Sequence, residues 1–125
     1  MKVLVVDDNE DSRFLLQKRL SQKRQFEIVG EAADGIEALA RVEELAPDIV
    51  IMDVRMPKMG GVEATKLVKE RFPNISVLAY SAFGDLDQME AMREAGAVGY
   101  VLKDAPAEEL IMRLQDSFDQ APVSH

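Results

Sequence analysis

Residues 47–61, PDIVIMDVRMPKMGG, carry the decision about the fold. The run DIVIM (48–52) is apolar and β-branched with no polar alternation, the pattern of a strand covered on both faces. Pro47 stops any helix in front of it, because proline lacks an N–H and clashes with the preceding turn. Asp53 stands at the carboxyl end of the run. MPKMGG (56–61) then reads as a loop from its proline and two glycines.

Working outward, the same alternation repeats on both sides. Upstream, a helix over 34–45 starts at Asp34, an N-cap type whose short carboxylate can accept from the first free N–H groups. Before it, FEIVGEA (26–32) is a strand of lower apolarity, which suits an edge. A helix over 10–23 places Leu16 and Leu20 on one face, and KVLVV (2–6) is a second doubly buried strand. Downstream, a helix over 62–71 ends before Pro73, and ISVLAY (75–80) is the fourth strand. A helix over 85–95 closes at Gly96, a good residue for the left-handed position after a helix. Residues 98–102 form the fifth strand, Pro106 suits the first turn of a helix to 118, and 120–125 reads as a loose tail. The result is (βα)5: an α/β, doubly wound parallel sheet with helices on both faces. Right-handed crossovers give the expected strand order 2-1-3-4-5.

Composition agrees with one domain over residues 1–119 followed by the tail. The chain has 125 residues, 47% of them hydrophobic, enough for a single core. Its net charge of −8 opposes direct binding to nucleic acid and to anionic membrane surfaces. The absence of cysteine excludes disulfides and thiolate metal sites. No stretch has the length of a membrane span or the form of a signal peptide, so the expected location is the cytoplasm. The lone histidine, His125, falls in the tail and is not expected to be a catalytic base.

In an open parallel sheet, ligands bind beyond the carboxyl ends of the strands, near the switch in strand order. Asp7 and Asp8 follow strand one, Asp53 follows strand three, Ser81 follows strand four and Lys103 follows strand five. Taken singly, each has an ordinary explanation as a cap, a turn residue or a solvated side chain. Together they bring three carboxylates, a hydroxyl and an amine to one rim. Clustered carboxylates repel one another, and a divalent cation removes that repulsion. Mg²⁺ takes oxygen ligands and keeps several waters: Asp8 and Asp53 can bind it directly, and Asp7 through water. Asp53 can then act as nucleophile toward a phosphoryl donor. Lys103 and the Ser81 hydroxyl are suited to the transferring oxygens.

With VVDDNE at strand one, DIVIMDVRMPKMGG around Asp53, AYSA at strand four and GYVLKD at strand five, the sequence resembles the receiver domains of bacterial two-component response regulators. The resemblance covers nearly the whole chain and implies a flavodoxin-like fold. By resemblance, Asp53 is the phosphorylation site, and Mg²⁺ is held by Asp8, Asp53 and the backbone carbonyl of Arg55, with Asp7 behind them. Ser81 and Tyr100 match the family's switch pair. The implied donor is a histidine kinase or a phosphotransfer protein, and a phosphorylation-dependent homodimer is among the expected partners. GEAADGIEAL, GVEAT and GYVLKD are most similar to the subclass paired with helix-turn-helix DNA-binding domains, so the expected pathway is transcription regulation. These 125 residues contain no such second domain, which leaves a stand-alone and an excised receiver both open.

The chain departs from the pattern at Asp104, which follows Lys103 where most members have proline and a cis bond. A cis bond before a non-proline residue costs about 2.5–4 kcal/mol, so the resemblance does not carry that feature over. Bulky Arg55 and Phe83 flank the phosphoryl position. Met56, Met59, Met89, Met92 and Met112 are assigned mostly to core or loop packing. One of Phe14 and Leu15 is expected to be exposed, because Leu16 and Leu20 claim the core face of their helix. Two other readings compete. A Mg²⁺-dependent phosphohydrolase with Asp53 as nucleophile would need an acid two residues on, where Arg55 stands. A protein-binding module that has lost the chemistry would lack Asp8, Asp53 or Lys103, and all three are present.

Overall fold

The computed structural model describes residues 1–119, the last two by backbone alone. Strands and helices alternate: β1 (Lys2–Val6), α1 (Glu10–Ser21), β2 (Glu27–Ala32), α2 (Gly35–Leu45), β3 (Ile49–Met52), α3 (Gly61–Arg71), β4 (Ser76–Ser81), α4 (Leu86–Ala95), β5 (Gly99–Leu102) and α5 (Ala107–Asp119). The five strands are parallel, in the order β2-β1-β3-β4-β5. The order expected from right-handed crossovers is therefore the one found, with β2 at an edge. The tail expected over 120–125, including His125, lies outside the described residues.

Successive strand residues point to opposite faces, so one run of apolar residues feeds two cores. Leu4, Val6, Val50 and Met52 pack with Ala38 and Val42 of α2, Ala64 and Val68 of α3 and Met92 of α4. Val3, Val5, Ile49 and Ile51 pack with Leu16 and Leu20 of α1 and with Leu110 and Leu114 of α5. This double coverage explains why KVLVV and DIVIM show no polar alternation.

The helix ends follow their cap residues. Asn9 accepts from Ser12 N–H at 2.9 Å and starts α1. Asp34 accepts from Glu37 N–H at 2.9 Å and starts α2, as its type predicts. Asp85 caps α4 from outside instead of forming its first residue. Gly96 takes φ 113° at the end of α4, a left-handed conformation that glycine adopts without a side-chain clash. β4 starts one residue later than expected and includes Ser81 as its last member.

Two expectations about side chains need correction. Phe14 and Leu15 are both exposed, at 69% and 49%, where only one was expected to be. Leu16 and Leu20 satisfy the core face of α1 without help from either neighbour. Met112 is also exposed, whereas Met92 is buried in the core as expected. No helix among the described residues is long and apolar enough to cross a membrane.

Candidate functional site

The carboxyl edge of the sheet gathers the expected residues because β1 and β3 are neighbours in register. Val6 pairs with Met52, so the next residues, Asp7 and Asp53, leave the sheet side by side. The Asp53 N–H donates to Val6 O at 2.9 Å, and the Asp7 N–H donates to Ala32 O at 3.0 Å. Carboxylate oxygens of Asp7, Asp8 and Asp53 all lie within 4.8 Å of one another. Asp7 and Asp53 are buried, while Asp8 faces solvent.

Lys103 reaches this cluster from the end of β5. Its ammonium lies 2.7 Å from Asp7 Oδ2 and donates to Asp53 Oδ2 at 3.3 Å. The Asp7 contact is close in distance, but its angles do not make a hydrogen bond, and Asp7 Oδ2 is a buried oxygen without a directed donor. We take it as charge neutralisation only. Burial pushes the Asp53 carboxyl up to about 6; Lys103 opposes that rise, and Asp7 adds to it. Burial alone would lower the Lys103 amine, but its contacts with Asp7 and Asp53 outweigh this and raise it. Lys103 is therefore a cation throughout the neutral range.

The loop after β3 is tied down on both sides. Lys58 has φ 66°, a strained value for a residue with a side chain, and the Met59 N–H closes the turn onto Pro57 O at 2.7 Å. The Gly35 N–H donates to Met59 O at 3.0 Å, which fastens this loop to the start of α2. The Gly61 N–H donates to Val54 O at 2.8 Å, bringing the start of α3 against the backbone beside Asp53. No cis peptide bond occurs among the described residues, the Lys103–Asp104 bond included.

Ser81 and Tyr100 are not bonded to the acids. Both are bonded to Phe83. Buried Ser81 accepts from the Phe83 N–H through Oγ at 3.3 Å, and the Tyr100 hydroxyl donates to Phe83 O at 2.8 Å. The Phe83 ring in turn carries the Arg55 guanidinium, 4.9 Å from its centroid. The two residues expected to flank the site therefore stack on each other. Sequence reasoning missed this stack. It also missed Arg13, whose Nη1 donates to Asp7 O at 2.7 Å and whose Nε pairs with Glu31 at 2.8 Å. Gln17 and Arg13 hold the Glu31 carboxyl below its ordinary range. A signal was available: Arg13 lies three and seven residues before Leu16 and Leu20, so a charged residue occupies the core-facing stripe of α1.

The donor set fits a small, hard divalent cation. All candidate ligands are oxygens, and three carboxylates against the single Lys103 ammonium leave a charge of −2 to be balanced.

Residues 3–115 match the response regulator receiver domain. The chain is 40% identical over 110 residues to the response regulator protein VraR of Staphylococcus aureus, covering 88% of this chain and 53% of VraR. The chain spans about half the length of the curated relatives it matches. Among solved structures, the receiver domain of the putative response regulator NarL from Mycobacterium tuberculosis is similar at a TM-score of 0.90. It is 30% identical, over 95% of this chain and 96% of that one. A CheX–CheY–BeF3–Mg²⁺ complex from Borrelia burgdorferi is similar at a TM-score of 0.88 and 28% identity, over 94% of this chain and 89% of that one.

Proposed function

Since this chain belongs to the response regulator receiver domain family, we propose that Asp53 is its phosphoacceptor and that it works as a Mg²⁺-dependent phosphoryl switch. The observation that carries the reading is the cluster of Asp7, Asp8 and Asp53 with Lys103 reaching in from β5. Asp8, Asp53 and the Arg55 carbonyl would hold the metal, with Asp7 joined to it through water. A bound Mg²⁺ supplies positive charge next to the transferring oxygens. An oxygen of Asp53 forms the new O–P bond as the donor's P–N bond breaks, and the leaving imidazole keeps the electron pair and takes up a proton. Lys103, anchored beside Asp7, offsets charge on the phosphoryl oxygens, and Ser81 donates its hydroxyl to one of them. The donor is a histidine kinase or phosphotransfer protein, and the whole protein's output is transcription regulation, in keeping with the name of a 37% identical relative, the transcriptional regulatory protein LnrK of Bacillus subtilis. The only chemistry assigned to the domain is its own phosphorylation and dephosphorylation. Incubation with acetyl phosphate and Mg²⁺ should add one phosphoryl group to the intact mass, and an unchanged mass would refute the reading.

Metal binding has a measurable consequence for stability. A cation bound only by the folded state stabilises it by mass action, about 2.7 kcal/mol at a hundred times the dissociation constant. Mg²⁺ is therefore expected to raise the melting temperature, and Asp8→Ala to lose most of that rise. An equal rise in the mutant would remove Asp8 from the ligand set.

The Arg55–Phe83 stack suggests a long-lived phosphoryl group. Hydrolysis needs a water in line with the O–P bond, and side chains stacked beside the site would shield that approach. Replacing both with alanine should shorten the lifetime, and an unchanged decay rate would dismiss the shield.

The switch follows from the bonds of Phe83. If the Ser81 hydroxyl turns to a phosphoryl oxygen, the Phe83 N–H loses its acceptor and the carbonyl bonded to Tyr100 shifts with it. Tyr100 is then free to turn inward, and the face made by α4, β5 and α5 changes. A phosphorylation-dependent homodimer would form through that face. With beryllofluoride and Mg²⁺, amide shifts should reach α4 and Tyr100 while α1 stays quiet. Shifts confined to the rim would defeat this mechanism and leave the acceptor assignment standing.

A further inference from the structure

We infer that Arg13 is a positioning residue for the acid pair, fixing the Asp7–Asp8 peptide and through it the affinity of the site for a divalent cation. The inference rests on the reading of Asp8 and Asp53 as metal ligands. Asp7 is held at four points. Its N–H donates to Ala32 O, its Oδ1 accepts from the Asn9 N–H at 2.9 Å, and its Oδ2 lies beside Lys103. The fourth point is its carbonyl, the oxygen of the peptide that leads into Asp8, and Arg13 Nη1 holds it at 2.7 Å. Asp8 itself is exposed, so the direction of its carboxylate follows from the orientation of that peptide.

Arg13 suits this task because a guanidinium offers several donors in one rigid plane. While Nη1 holds Asp7 O, Nε is paired with Glu31 Oε1 at 2.8 Å, and Gln17 donates to Glu31 Oε2 at 2.7 Å. Glu31 sits on β2 opposite Val5 of β1, so its carboxylate starts from a fixed strand. The Arg13 side chain is only 14% exposed, which keeps water from replacing it at the Asp7 carbonyl. Groups that orient metal ligands from behind usually matter to affinity by one or two orders of magnitude. The rival account is an ion pair that merely pins α1 to β2. That would affect folding stability and leave the metal untouched.

Titration with Mg²⁺, followed by backbone amide shifts, separates the two when combined with melting in EDTA. Arg13→Ala should weaken Mg²⁺ binding about tenfold with little change in the metal-free melting temperature, and Arg13→Lys should recover part of the loss. Glu31→Gln, which leaves Arg13 an acceptor but no charged partner, should give a smaller loss than Arg13→Ala. If Arg13→Ala is too unstable to titrate, Glu31→Gln decides. Unchanged Mg²⁺ affinity in the variants overturns the inference, as does a loss matched by a general fall in the metal-free melting temperature. Asp8→Ala serves as the control: if it binds Mg²⁺ like the unaltered chain, the ligand assignment itself fails and this inference falls with it.

Discussion

Asp53→Asn is expected to lose the phosphoryl mass increment completely, yet to melt higher than the unaltered chain in EDTA at pH 7. The first effect follows because an amide nitrogen or oxygen cannot replace the carboxylate as nucleophile, and Asp53 is the acid that ends the central strand. The second follows from burial. The Asp53 carboxyl titrates at about 6 in the folded chain against 3.8 as its ordinary value. A raised carboxyl pKa means that the folded state favours the protonated form. That contribution is fully present below pH 3.8 and is lost as pH rises through about 6. At pH 7 ionised Asp53 therefore weakens the metal-free fold. Asparagine carries no such burden, so the variant should lack this part of the decline that the unaltered chain shows. Mg²⁺ should cancel the decline, since it favours the ionised carboxylate. A phosphate increment that persists and maps to another residue would sink the acceptor assignment. Equal pH slopes in EDTA would sink the electrostatic account of its burial.

Gly61→Ala should be the most damaging single-methyl change near the site. A Cβ on Gly61 would stand 2.1 Å from the Asp53 carbonyl oxygen and 2.9 Å from Val54 Cα. Both are backbone atoms, so no side chain can rotate away. The start of α3 and the strand end carrying Asp53 must separate. Overpacking of this kind usually costs about 1–3 kcal/mol, against which alanine's better helix propensity offsets at most about 1 kcal/mol. A net loss of about 2 kcal/mol would lower the melting temperature of a domain of this size by roughly 5–10 °C. Because the displaced backbone carries Asp53, acetyl phosphate labelling should slow as well. Gly60→Ala is the matched control, since its Cβ would meet only Val54 O at 3.4 Å. Were Gly61→Ala to melt and label like Gly60→Ala, the close packing of α3 on Asp53 would have no functional weight.

The fold was legible because its signals are local and mutually consistent. KVLVV and DIVIM are too apolar for any strand with a wet face, and Pro47, Gly96 and the cap Asp34 mark helix ends through short-range chemistry. Strand order then followed from handedness, and with it the rim that receives Asp7, Asp8, Asp53, Ser81 and Lys103. What the sequence could not give was the pairing of groups far apart along the chain. Arg13 meets Asp7 O and Glu31 only because α1 folds back over β1 and β2. Arg55 meets the Phe83 ring only because β3 and β4 are neighbours whose following loops lean together. Phe14 and Leu15 are both exposed because Leu16 and Leu20 already fill that side of the second core. Sequence alone determined which residue types reach the carboxyl rim, since strand ends are set by local pattern and topology. Only the tertiary structure decided which donor holds which oxygen there, because that depends on side chains converging from segments tens of residues apart.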